Sequence, residues 1–454
     1  MKDLIYSNVA LKPEVYYFLY IGEFKSYGIN LFMKEFLERK LSRRVEIIAI
    51  IPDIFEQYPF QNIVVINPVA AHLDKVHRTC VRVDGEVFAK AVSESRYVKD
   101  LIEKLLKQQG ELYIYMYESS VSLTLTEIPS VKLIGPDARL VKRFNHKLFQ
   151  HEEFSKVVPM VEFRICNSLS ELIRVSESLR ERFKDGIFVS APYSAAGINS
   201  AITHSTQDIL KKFKEENQQY LMSKFTPHKY DPTVLAVAIN EEEIYIAGVA
   251  NQRIEEGNKF TGSTYPSGMD RQVIENLKEY TRKIGKRIAK EGYRGIFGCD
   301  FIVTENNEAY FIELNARKQG TTMEFCCMLE NVLPKGSPNL PEIEFYAVTE
   351  SRLAEKAIEP ECTTDVKWTT YNFKMKEDAR TGGYIPHYRY EREMFRLIYS
   401  NELQKSYCIL EHVGSNMHVK AGGFLGRIVS ISRDEKDLES GIEIGKRILQ
   451  ATIT

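Results

Sequence analysis

Cysteine is scarce in this chain: seven in 454 residues, none in CxxC spacing, with only Cys326 and Cys327 adjacent. That usage is read as reduced, mostly buried thiols in a cytoplasmic protein. An excess of charge of one sign is also missing. The 61 basic and 62 acidic residues leave a formal net charge of -1, so there is no electrostatic reason to expect nucleic acid or an anionic membrane as partner. Long hydrophobic runs are absent too. Runs such as "IIAIIP" are far too short to span a bilayer. The opening "MKDLIYSNVALKPEV" has no sustained apolar segment, so no signal peptide is expected. Internal repeats and low-complexity tracts are not found. What remains is a soluble globular composition in a chain long enough for two or three domains.

The first part alternates in type. "VYYFLYIG", "VEIIAII", "NIVVINP" and "ELYIYMYES" read as strands, and "NLFMKEFLERKL" and residues 97–109 as helices. This is a Rossmann-like α/β layer. It lacks G-x-G-x-x-G after its first strand, where "IGEFKSYG" has the wrong spacing, so dinucleotide binding is not expected. From Pro136 the pattern changes. "DARLVKRFNHKLFQHEEF" predicts one helix with Asp137 as N-cap. A strand, a helix over 169–183 and the strand of "GIFVSAPYSAAGINSAI" follow, then "QQYLMSKFT", "VLAVAIN", "IYIAGVANQRI" and a long helix over 270–290. "PKGSPNLPE" reads as a connection into a last region that ends in a helix near 436–450. The expected domains are 1–135, 136–340 and 341–454.

The chemistry concentrates in "GCDFIVTENNEAYFIELNAR", residues 298–317. Two strands joined by Glu305-Asn306-Asn307-Glu308 would form a hairpin. Alternation puts Glu313 and Asn315 on one face. With Val303 opposite Glu308, Asp300 would pair with Phe311 and lie diagonal to Glu313. Two carboxylates, an amide oxygen and the Arg317 guanidinium would share a patch. Carboxylates so close repel unless a cation sits with them. Hard oxygen donors suit Mg²⁺, which takes one or two carboxylates and completes its shell with phosphate and water. The bland reading is the polar outer face of an edge hairpin. About a hundred residues earlier, "SAPYSAAGINSA" is a small-residue loop that would let backbone N–H groups approach a phosphate. Its bland reading is a tight connection between strands.

With these residues in view, "GCDFIV…YFIELNAR" resembles the nucleotide- and magnesium-binding hairpin of the ATP-grasp superfamily. "NQRIEEGNKFTGSTYPSGM" resembles a branch of carboxylate-amine ligases with an N-terminal α/β domain and a small C-terminal domain, the pheganomycin-type peptide ligases among them. The fold implied is mixed α/β and α+β. The resemblance implies ATP, with Mg²⁺ or Mn²⁺ held by Asp300, Glu313 and Asn315. It implies phosphate contacts from Lys147 and from the loop residues Ser194, Ala195, Ala196, Gly197 and Asn199, and adenine contacts along Met222, Ser223 and Lys224. Arg317 and Arg253 would stabilise the transferring phosphoryl group and the acyl phosphate. Two departures stand out: Ala191 precedes Pro192 where many relatives have Lys, and Met222-Ser223-Lys224 carries no Glu.

The reaction so implied joins a small-molecule carboxylate to an amine through an acyl phosphate, releasing ADP and phosphate. A second reading makes the acceptor the thiol of an acyl carrier protein, received by "KRFNHK" or "HYRYER". A third makes the chain a non-catalytic nucleotide-binding module. A homodimer is compatible with all three.

Overall fold

The computed structural model describes residues 4–58, 60–73, 75–194, 199–255, 259–361, 364–383, 391–402 and 406–454. The chain forms two compact units, one of residues 1–139 with 320–454, the other of residues 140–319.

The first unit is built on a six-stranded sheet. Tyr16–Ile21 is central, paired in parallel with Val45–Ile51 on one side and Leu112–Met116 on the other. Ile63–Ile66 and Val131–Ile134 extend it in parallel, and Leu4–Ser7 closes one edge antiparallel. Every residue of Tyr16–Ile21, Ile63–Ile66 and Leu112–Met116 is buried, as befits parallel strands covered on both faces. The tyrosines of "VYYFLY" and "LYIYMY" are therefore core. Helix Arg96–Gln109 starts at the Ser95 N-cap and ends at Gly110, whose φ of 79° is the usual left-handed stop. Further helices, among them Gly85–Glu94 and Leu340–Glu350, were not foreseen. The latter begins inside "PKGSPNLPE", with Asn339 as N-cap and proline in its first turn.

Residues 341–454, expected as a separate domain, fold into this same unit. Lys367–Lys374, Phe424–Ser432 and Tyr407–Leu410 pair antiparallel, and helix Glu435–Gln450 packs on them. His418–Val419 pairs in parallel with Thr79–Cys80. Arg392 donates to both Glu35 oxygens, at 2.7 and 2.6 Å, and also holds Glu330. Of "HYRYER", only Glu391 and Arg392 lie among the described residues, and both are engaged within the fold. Arg392 is 7% exposed and its neighbour Glu391 is buried against Arg427, while residues 387–390 lie outside the described residues.

The second unit holds two antiparallel sheets. The smaller runs Ser200–Thr203, Ile187–Ser190, Tyr220–Lys224, Phe163–Cys166. The larger contributes Ala309–Asn315, Gly295–Val303, Pro232–Ala238, Ile244–Glu255 and Lys259–Tyr265 in that order. The last of these was missed in the sequence, its glycine and polar residues masking a strand. The 20-residue helix Arg271–Lys290 lays Val273, Leu277, Ile284 and Ile288 into the core beneath the larger sheet.

The expected single helix over 137–154 is two. Ala138–Phe144 starts at Asp137, which accepts from the Arg139 N–H at 2.8 Å, and Lys147–Phe154 restarts at His146. The break frees Asn145 to accept the Ala316 N–H at 3.1 Å. Gln150, fully buried, then acts as an extra strand residue along Ala309–Asn315. It accepts the Leu314 N–H at 2.8 Å and donates to the Leu314 and Phe144 carbonyls at 2.8 and 2.6 Å. Gln150→Leu keeps the volume but leaves both Leu314 groups unpaired in the core. At about 1–3 kcal/mol for each orphaned group, we expect a loss of about 2–5 kcal/mol in denaturant unfolding. A loss below 1 kcal/mol would mean that water reaches this edge.

Candidate functional site

The hairpin Gly295–Val303 and Ala309–Asn315 forms as expected, but its register differs. A bulge between Asp300 and Phe301 puts Asp300 directly opposite Glu313 and leaves Phe301 facing Phe311. The extra residue is Ile312, and it lets Phe311 join Phe301 in the core while Glu313, two residues on, shares the polar face with Asp300. The two carboxylates are thus nearer than the diagonal arrangement would make them.

Each is held differently. Asp300 Oδ1 accepts from the Thr233 hydroxyl at 2.7 Å and from Gln319 Nε2 at 3.1 Å, and Oδ2 accepts from Asn315 Nδ2 at 2.8 Å. Gln252 also bonds this carboxylate. Burial, followed by the charge of Glu313, pushes its pKa above the usual carboxylate value, and the hydrogen bonds from Thr233, Asn315 and Gln252 pull the other way. Glu313 instead forms an ion pair with Lys147 at 3.0 Å, whose side chain is only 8% exposed. Arg317 donates to Asn315 Oδ1 at 2.9 Å and to the Lys318 carbonyl at 2.9 Å. Asp300, Asn315 and Arg317 therefore form one hydrogen-bonded chain, beside the Lys147–Glu313 pair. Two anions and two cations balance.

Thr233, Gln252 and Gln319 were not singled out from the sequence. Thr233 lies across the strand pair from Asp300. Gln319 fits because position 298 is glycine: a Cβ there would stand 1.9 Å from its amide carbon. Had "GCD" and "RKQG" been read together, a buried amide over a glycine was the available signal.

The small-residue loop is a connection between Ile187–Ser190 and Ser200–Thr203, with its neck pinned. The Ala191 N–H donates to the Asn199 carbonyl at 3.0 Å, and the Ser190 and Ser194 hydroxyls lie 2.9 Å apart. The Lys147 N–H donates to the Pro192 carbonyl at 2.8 Å, and His146 meets the Tyr193 ring edge-on. The same residue that pairs with Glu313 thus ties down the start of the loop. Ala195, Ala196 and Gly197 lie outside the described residues. His151, one turn beyond Lys147, is pushed down to about 4 by burial and is neutral at neutral pH.

Three sequence expectations meet a different geometry. Met222 is fully buried in the core of the smaller sheet, and its strand is paired on both sides. Its side chain is therefore not available to a base. Ser223 is buried in the same strand, and only Lys224 at its end is partly exposed. Arg253 follows Gln252, with a bulge directly after it, and alternation sets it on the face opposite Gln252, away from the group around Asp300. "KRFNHK" is likewise not a free basic face: Lys147 is buried on Glu313, and Arg143 pairs with Glu291 at 3.1 Å.

Oxygen donors from Asp300, Glu313 and Asn315 on one face fit a hard divalent cation that completes its shell with phosphate and water. Among the described residues, no group of three or more His, Cys, Asp or Glu side chains is placed to hold a metal by itself.

The fold is the ATP-grasp fold of the solved structures it superposes on, and the hairpin closes the stretch that an ATP-grasp family model matches. Residues 190–315 match the family described as "L-aspartate--L-methionine ligase, ATP grasp". Among curated proteins, the [butirosin acyl-carrier protein]--L-glutamate ligase of Niallia circulans is 23% identical over 200 residues, covering 42% of this chain and 46% of that one. The C-terminal section of the carbamoyl phosphate synthase large chain of Aquifex aeolicus is 24% identical over 239 residues, 50% of this chain and 42% of that one. The chain thus spans less than half the length of either relative. Among solved structures, biotin carboxylase from Campylobacter jejuni superposes with a TM-score of 0.63 at 12% identity, covering 96% of this chain and 91% of that one. Carboxyaminoimidazole ribonucleotide synthase from Aspergillus clavatus, solved with ATP, gives 0.56 at 15%, covering 97% and 100%.

Proposed function

We propose that the chain is an ATP-dependent ligase that joins the carboxylate of an amino acid or peptide to an amine. The observation carrying this reading is the Asp300–Asn315–Arg317 chain beside the Lys147–Glu313 pair. In the first step a substrate carboxylate oxygen attacks the γ-phosphorus of ATP, and the bond to ADP breaks. In the second the amine nitrogen attacks the acyl carbon, phosphate leaves and the amine gives up a proton.

Magnesium, when bound with ATP on Asp300, Glu313 and Asn315, would supply charge neutralisation at the phosphates. Thr233, Gln319 and Gln252 hold Asp300 in place for that task. Lys147, at the base of the loop, would contact phosphate oxygens. It supplies a cation that the missing lysine at Ala191 does not. Arg317 offers a planar fork to the transferring group and then to the oxyanion. Ser194 and Asn199 bound the loop that would cover the phosphates, and Lys224 begins the segment that would read the base.

A second reading has one specific support, the likeness to a ligase named for an acyl-carrier protein: the acceptor would be a carrier thiol and the product a thioester. Mass spectrometry of the products formed from ATP, Mg²⁺ and mixed amino acids, with and without a carrier protein, separates the two. An amide formed without carrier supports the first reading. A product formed only on the carrier supports the second.

A further inference from the structure

Arg427 is the centre of a second charged group, buried in the unit of residues 1–139 and 320–454. It lies on Phe424–Ser432 and is 5% exposed. Its Nη1 donates to Glu391 Oε1 at 2.8 Å, and its Nη2 donates to Glu324 Oε1 and, at 3.5 Å, to the Gly320 carbonyl. Glu391 opens the helix Glu391–Tyr399, and Glu324 lies in the first turn of the helix Thr322–Val332. A third acid comes from the edge strand Tyr407–Leu410. Leu410 stands directly opposite Arg427, and Glu411 follows it, 8% exposed, with a φ of 60°. That left-handed backbone is uncommon away from glycine and asparagine, and the turn beyond it holds it. His412 Nδ1 accepts the Gly414 N–H at 3.1 Å, its Nε2 meets the Thr452 hydroxyl at 3.0 Å, and Glu56 accepts the Ser415 N–H at 2.9 Å.

Three acids therefore surround one guanidinium. Fully ionised, they would leave two negative charges unmatched in the core. Other groups do not make up the difference. Glu411 also faces Asp53, itself an acid, and Lys25, which is already paired with Glu23. Cys408 lies by Arg427, and Cys327 by Glu391 and Glu324, both as buried thiols. His412 is pushed down to about 4 by burial and is neutral at neutral pH. The hydrogen bonds tell which acid is left over. Arg427 holds Glu391 and one oxygen of Glu324. Glu324 Oε2 and Glu411 Oε2 are buried with no hydrogen-bond partner. A buried carboxylate without a partner is far costlier than a buried carboxylic acid. Burial, partly offset by Arg427, pushes Glu411 up to about 8, and the charges of Glu391 and Asp53 add to the rise. Burial pushes Glu324 up as well.

We propose that Glu411 is carried as a neutral carboxylic acid and that its proton is a latch on the edge strand Tyr407–Leu410. With the proton bound, Glu411 packs by Arg427 without adding charge. Once the proton is lost, a carboxylate with no donor has to reach water, and the strand end that carries it has to move. The folded chain holds this proton more tightly than the unfolded one. The stabilisation is therefore whole below the ordinary carboxylate range and is lost as pH rises from there to about 8. This device does not rest on the ligase reading.

Trp368, the only tryptophan, reports the transition. It is fully buried, stands opposite Ile431 of Phe424–Ser432 and meets the ring of Phe325, next to Glu324, edge-on. Urea unfolding of the full chain is followed by its fluorescence at about pH 5.5 and about pH 8. The unmodified protein is compared with Glu411→Gln, which copies the neutral acid at every pH, and with the exposed Glu377→Gln as control. The unmodified protein should lose stability at the higher pH, and Glu411→Gln should escape that part of the loss. The ratio of their unfolding constants should shift on the order of tenfold or more, since one linked proton is worth up to about tenfold per pH unit. Glu377→Gln should follow the unmodified protein. The same pH dependence in Glu411→Gln as in the unmodified protein overturns the proposal, as does an equal loss of stability at both pH values, the mark of a purely structural role. If Glu411→Gln does not fold, the unmodified chain labelled with carboxyl-¹³C glutamate decides: a glutamate carboxyl should titrate above about pH 7, well outside the ordinary range, and none doing so overturns the proposal. In folded Glu411→Gln that signal should be gone, and its persistence would assign the proton to Glu324 instead and overturn it too.

Discussion

Glu313→Gln is expected to lower amino-acid-dependent ADP release by a factor on the order of 10³ or more. The substitution keeps the shape of the side chain and removes one of the two negative charges facing each other across the hairpin. Losing a cation ligand in phosphoryl transfer costs several kcal/mol of charge stabilisation, and each 1.36 kcal/mol is tenfold. The same change strips Lys147 of its partner in a site where that lysine is largely buried, so some stability is lost as well. A double variant separates the two effects. Lys147→Met with Glu313→Gln no longer buries an unpaired ammonium and should recover most of the unfolding free energy, yet remain inactive. If Glu313→Gln turns over at the unmodified rate once it is shown to be folded, Glu313 is only a counter-ion and the cation site is misplaced.

Arg317→Lys should act almost wholly on turnover. Arg317 reaches Asn315 Oδ1 and the Lys318 carbonyl through two guanidinium nitrogens. A lysine keeps the charge but not the planar fork. Removing one donor to a developing oxyanion typically lowers the rate by about 10²–10³, and a loss in this range is expected in kcat. Nucleotide binding, measured by titration with a non-hydrolysable ATP analogue, should weaken far less. Equal losses in binding and turnover would make Arg317 a clamp on the ground state.

Much of the first unit's sheet was legible because fully buried parallel strands announce themselves as apolar runs: "YYFLYI", "VEIIAII" and "LYIYM" lie where their composition puts them. The hairpin around Asp300 was legible in kind but not in register, since a bulge adds a residue without leaving a mark in the hydrophobic alternation. The split of the helix at Asn145 was hidden for a similar reason. Its apolar positions continue across the break, and what decides it is the distant Ala316 N–H. Asp300, Glu313, Asn315 and Arg317 share a patch, as alternation suggested, but the pairing of Lys147 with Glu313 was not foreseen. Arg253 could not be placed without knowing strand phase, nor Met222 without knowing that its strand is paired on both sides. Gln150, Thr233 and Gln319 hold the group in place through contacts set by tertiary structure, which no local pattern reports.

The central claim is that this chain spends ATP to activate a carboxylate, and ADP release tests it most directly. The unmodified protein with ATP and Mg²⁺ should release ADP slowly alone and markedly faster with the right amino-acid mixture, an increase lost in Glu313→Gln. No dependence on any amino acid or carrier acceptor, or the same release from the folded Glu313→Gln variant, would contradict it.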